Sequence, residues 1–174
     1  MLEVLQKVVS SHIIHGDSLS ISDVHTLVGN AFGLSSLLEL VPESALGVPR
    51  NITSNSLNVA KKLLEVNPDE CLQENHPVAS AAVNISGWNI LNSLLKFGAS
   101  WASSKLKMLF SFWKIALGKQ VMFLKSVTGV VFELTFSSNP KETYAALSVR
   151  TAALRCLRTF IICFSNFFNN TFNE

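Results

Sequence analysis

The chain has 174 residues, 48% of them apolar and 15% charged, with a mean hydropathy of +0.34. That length suits one domain with a sizeable core. The charged fraction lies well under the roughly 25% usual for soluble domains, so little polar surface is available to face water, and the composition points toward a membrane or an obligate partner. Three cysteines, Cys71, Cys156 and Cys163, with no C-x-x-C pair, exclude a disulfide framework and a zinc-ribbon type of site. Cys156 and Cys163 are seven apart and read as small side chains on one helical face.

The net charge of +2 hides an asymmetry. Residues 1–80 hold four Lys or Arg against nine Asp or Glu, and residues 81–174 hold ten against three. A basic half of this kind seeks an anionic surface, unless it docks on the acidic half of its own chain.

In chain order, residues 2–14 read as a short amphipathic helix with Val4, Leu5, Val8, Val9 and Ile13 on one face, closed by Gly16. Glu3, Gln6 and Lys7 interrupt the pattern expected of a signal peptide, so this stretch is read as part of the fold. A second helix, capped by Ser20 or Ser22, runs to Leu40 and is stopped by Pro42. Residues 42–50 read as a loop, and a third helix is expected over 54–66. The acidic, proline-bounded stretch 67–77 separates an acidic helical half, 1–66, from a basic, membrane-associating helical half, 78–174. From Val78 to Ser137 only Gly87, Gly98, Gly118 and Gly129 interrupt a helical reading, and kinks are expected there. The β-rich stretch 127–136 has no strand to pair with and is read as helix. SSNP (137–140) is a turn, and a last helix covers about 141–168. The expected fold class is all-α.

The lysine spacing is the strongest pattern. Lys96, Lys107, Lys114 and Lys125 are 11, 7 and 11 residues apart. Eleven residues advance a helix by about 20° beyond whole turns and seven fall back by about 20°. If 96–125 is one helix, all four lysines form one stripe. Phe97, Trp101, Met108, Phe112, Ile115, Met122 and Phe123 then form an apolar arc opposite, with Lys119 as the exception. No Asp or Glu occurs between Glu74 and Glu133. A basic amphipathic helix of this form can lie in the head-group plane, its lysine stems reaching anionic phosphates.

Membrane spanning is less well supported. The window 120–138 has Lys125 and Glu133 near its centre, which cancel its apolar gain. The run 159–168 is apolar but only ten residues long; preceded by Arg150, Arg155 and Arg158, it fits an interfacial anchor.

No Walker A, H-E-x-x-H, G-x-S-x-G or G-x-G-x-x-G motif occurs. His12, His15 and His25 with Asp17 and Asp23 read better as surface residues than as metal ligands. The tryptophans and phenylalanines sit on the apolar arc rather than among the lysines, so nucleic acid is not expected. The chain is therefore expected to be a non-enzymatic, membrane-associated helical protein, peripheral or integral, without a cofactor: an accessory subunit or part of a multi-pass assembly. Its lipid- or partner-binding residues would be Lys96, Lys107, Lys114, Lys125, Trp101, Phe112, Met122, Arg155, Arg158 and Phe160. Its partners would be anionic lipids, other helical membrane proteins or an acidic protein. The alternative is a soluble helical interaction module whose basic helix binds an acidic protein, a calmodulin-type target being one form of it.

Overall fold

A computed structural model describes residues 21–41, 50–65, 77–124 and 139–171. The described residues form six helices and no strand, so the fold is all-α. In chain order these are α1 (Ile21–Leu40), α2 (Arg50–Glu65), α3 (Pro77–Leu95), the one-turn α4 (Ala99–Ser103), α5 (Leu106–Leu124) and α6 (Pro140–Thr171). The expected helix 2–14, the segment 127–136 and residues 67–76 of the expected linker 67–77 lie outside the described residues, while Pro77, its last residue, opens α3.

The sequence of α3, PVASAAVNISGWNILNSLL, has no charged residue and no polar face. A helix with no separate polar face is stable only when covered on several sides. It occupies the centre, packed by α1, α2 and α6, with α4 and α5 lying against α6. Trp88, Ile90, Leu91, Leu94 and Leu95 are almost wholly buried. Around α3, α1 contributes Val24, Leu27, Ala31, Leu34 and Leu38, spaced three and four apart as one helical face requires. α2 contributes Leu57, Ala60 and Leu63, and α6 contributes Ala152, Ala153, Cys156 and Phe160. Helices from the acidic and the basic half thus share one core.

α2 and α3 approach closely because position 87 has no side chain. A Cβ built on Gly87 would lie 2.9 Å from Leu64 Cγ and 3.1 Å from both the Ala60 carbonyl oxygen and Leu63 Cβ. Gly87 and Gly118 do not break their helices, since α3 runs through the one and α5 through the other.

Gly98 does break the chain. Its φ is 100°, a conformation that side chains with a Cβ disfavour. Before it, the N–H groups of Lys96, Phe97 and Gly98 bond to the carbonyls of Ser93, Leu94 and Leu95, a tightened last turn that ends α3. After it, Ala99 and Ala102 turn back onto the core. Gly98→Ala is expected to lower stability by about 1 kcal/mol through this left-handed backbone alone, because nothing within 4 Å obstructs the added methyl. Chemical denaturation of the two proteins measures it, and a stability equal to wild type would mean the turn relaxes freely.

A polar seam pins α1 to the end of α3. The Ser35 and Ser93 hydroxyls lie 2.8 Å apart, Ser93 donates to Glu39 Oε1 at 3.3 Å, and Lys96 Nζ lies 3.1 Å from the same carboxylate oxygen. At the other end of the molecule, Asn139 caps α6: its Oδ1 accepts from the Lys141 backbone N–H at 3.0 Å, and its Nδ2 donates to Glu142 at 3.2 Å.

Candidate functional site

The lysine stripe needs residues 96–125 to wind as one rod, and they do not. α3 ends at Leu95, and α5 begins only at Leu106. The cause is the Gly98 turn, together with the pull of Ala99 and Ala102 into the core. Lys96 leaves the stripe altogether, since it pairs with Glu39 of α1. Lys125 and the side chain of Met122 lie outside the described residues. Lys107 and Lys114 remain, two turns apart on the exposed face of α5.

The aromatic arc turns inward for the same reason. Phe112 and Trp113 are buried, and Trp101 is half-buried against the core. Phe160 of α6 is buried too. Its ring meets Trp113 edge-on at 5.1 Å, Phe110 at 6.0 Å and Phe164 at 4.5 Å, so it joins α5 to α6 rather than facing outward. Among the expected binding residues, Phe112 and Phe160 are therefore core side chains, while Lys107, Lys114, Arg155 and Arg158 are exposed.

Those four cations lie on the outer faces of two neighbouring helices, together with Lys105 and the half-buried Arg150. None of them has an ion pair among the described residues, whereas Lys61 pairs with Glu65 and Lys96 with Glu39. Large apolar side chains share this surface. On α5 these are Phe110 and Ile115, the latter 79% exposed. On α6 they are Tyr144, Leu147, Leu154, Ile161 and Ile162. Three of the α6 residues carry a signal in the sequence, the spacing of sevens through Leu147, Leu154 and Ile161.

At the N-terminal part of α6 this face opens into a groove of about 500 Å³ between α1, α3 and α6. Phe32 of α1 and Tyr144, Leu147 and Arg155 of α6 form its walls, and Ile85 and Asn89 of α3 line it as well. It is mainly apolar, with Arg155 as its charged group.

No group of three or more His, Cys, Asp or Glu able to hold a metal ion occurs among the described residues, and His12 and His15 fall outside them. Burial pushes the Cys156 thiol up, well above its ordinary range, and pushes Cys163 up as well. Cys163 lies 3.6 Å from the Leu95 carbonyl, at the junction of α6 with the end of α3. A thiol held protonated is a poor nucleophile, so Cys156 serves as a small core side chain. No helix of the described residues is long and apolar enough to cross a membrane.

Comparison with models of protein families, with curated proteins and with solved structures finds no match to this chain.

Proposed function

We propose that the chain is a non-enzymatic helical interaction module whose basic second half binds an acidic protein surface. One observation carries this reading. Lys107, Lys114, Arg155 and Arg158 stand exposed and without ion pairs among the described residues, interleaved with large exposed apolar side chains. A solvated surface favours scattered charges of both signs and few large apolar groups. A surface with cations of one sign around apolar anchors matches a partner with carboxylates around an apolar face.

Anionic membrane is the second reading. It is supported by α5, where Phe110 and Ile115 flank Lys107 and Lys114. The broken rod removes its main support, because Lys96 is already paired and Phe112, Phe97, Trp101 and Met108 of the arc pack in or against the core.

The test titrates the whole chain with a glutamate-rich peptide containing leucines and, in parallel, with vesicles of phosphatidylcholine and phosphatidylserine. The expected result is saturable peptide binding that weakens with salt and is lost when Lys107, Lys114, Arg155 and Arg158 are all changed to Glu. Peptide binding indifferent to that reversal, or no peptide binding at all, overturns the reading. Flotation with anionic vesicles in the absence of peptide binding replaces it with the membrane reading.

A further inference from the structure

α6 runs for 32 residues, and only one side of it is needed for the core. Ala145, Val149, Ala152, Ala153, Cys156 and Phe160 face inward. The opposite side repeats in sevens. Tyr144, Thr151, Arg158 and Ser165 recur at one position, and Leu147, Leu154 and Ile161 recur three residues later. These are the a and d positions of a heptad pattern, the seam along which one helix packs against another. All seven side chains are exposed; Leu154 is 51% and Ile161 is 55% accessible. An ordinary solvent face has no reason to place aliphatic side chains at every d position for three heptads.

The charges beside the seam select the occupant. In this register Arg150 is at g and Arg155 at e, the two flanks that contact a partner helix, and Arg158 is at a. The only carboxylate of α6 is Glu142, in its first turn at the capped end. A second copy of this chain fits poorly. In a parallel pair g meets the e of the next heptad, which sets Arg150 against Arg155. In an antiparallel pair g meets g and e meets e, and no residue at the e or g positions of α6 is a carboxylate that could answer either arginine. A helix with Glu or Asp on both flanks matches in either orientation. The groove toward α1 continues the same face, with Phe32 available to meet the partner's apolar residues.

We infer that the outer face of α6 docks an acidic amphipathic helix of another protein, with Leu147, Leu154 and Ile161 as anchors and Arg150 and Arg155 as the flanking charges. This rests on the interaction-module reading and gives it a place and a register.

The test uses the whole chain and three synthetic probes, each three heptads long. The first has leucine at a and d and glutamate at e and g; its own like charges keep it from pairing with itself at neutral pH. The second has the same composition with the apolar spacing scrambled. The third has lysine in place of glutamate. Binding is read by fluorescence anisotropy, and the folding of every variant by circular dichroism and thermal melting. The first probe is expected to bind, and the second and third at least about tenfold more weakly. Leu154→Ala and Ile161→Ala together should weaken the first probe by about tenfold or more while leaving the melt unchanged. Arg150→Glu with Arg155→Glu should move the preference to the lysine probe. Equal binding of the scrambled probe overturns the α6 site but leaves the broader reading standing. The same holds if binding survives the α6 substitutions and is lost with Lys107→Glu and Lys114→Glu. Absence of binding by both glutamate probes overturns both proposals, and preference for anionic vesicles over any peptide assigns the face to lipid.

Discussion

Replacing Trp88 by alanine is expected to cost about 3–5 kcal/mol. Trp88 sits mid-way along the central helix with 2% of its surface accessible, and α3 is packed by α1, α2 and α6. Truncation there removes contacts to several helices at once, and the surrounding helices cannot close the void without moving each other. For a domain whose total stability lies at about 5–15 kcal/mol, this is a large share, and the melting temperature should fall by about 10 °C. The indole Nε1 of Trp88 has no hydrogen-bond partner among the described residues. A buried donor without a partner opposes folding by about 1–3 kcal/mol, so Trp88→Phe removes a penalty as well as some volume. The phenylalanine variant should therefore lose less than half of what the alanine variant loses. Urea unfolding of the three proteins checks both numbers. Equal losses for Phe and Ala would mean that the indole nitrogen, not the ring volume, is what the core requires.

The helices were legible where their apolar residues recur at one spacing. α1 follows Val24, Leu27, Ala31, Leu34 and Leu38 to Leu40, just before Pro42. Prolines also mark the starts: α3 and α6 begin on Pro77 and Pro140, where a missing N–H costs nothing. The same rule accounts for the main boundary error. The stretch 42–50 reads as a loop because of its two prolines, yet α2 begins at Arg50, immediately after Pro49, and Ile52 packs against the core.

The binding surface was less legible, because periodicity finds a face without saying what it faces. Aromatics between residues 97 and 123 look the same on a wheel whether they meet lipid or another helix. The deciding facts are the backbone of Gly98 and the aromatic cluster of Phe160 with Trp113 and Phe110, which depend on contacts more than forty residues apart in sequence. Lys96 shows the same limit. Its place in an 11–7–11 spacing is a local pattern, while its bond to Glu39 spans the two halves of the chain. On α6 the seven-residue repeat was present in the sequence, but only the burial of the opposite face identifies it as surface rather than core.

Position 87 sets two forces of opposite sign against each other. In an isolated helix, Gly→Ala gains about 1 kcal/mol through propensity. In this chain the new methyl would lie 3.1 Å from the Ala60 carbonyl oxygen, which belongs to the backbone of α2 and cannot rotate away. Leu63 Cβ is as close and is fixed to the same backbone, and Leu64 Cγ is closer still, at 2.9 Å. Relief therefore requires α2 to move off α3, which loosens Leu57, Ala60 and Leu63 in the core. Overpacking of this kind costs about 1–3 kcal/mol, so Gly87→Ala should be net destabilising despite the helix it favours. Gly87→Val adds a second branch, has poorer helix propensity, and should lose about 3 kcal/mol or more. The loss should be recovered in part by Leu64→Ala, which removes the nearest obstructing atom; the double mutant is then more stable than the sum of the two single changes. Thermal melts of the four variants and the wild-type chain measure this. A Gly87→Val chain as stable as wild type would mean that α2 and α3 do not touch at this point, and the packing of the acidic half onto the central helix would need to be redrawn.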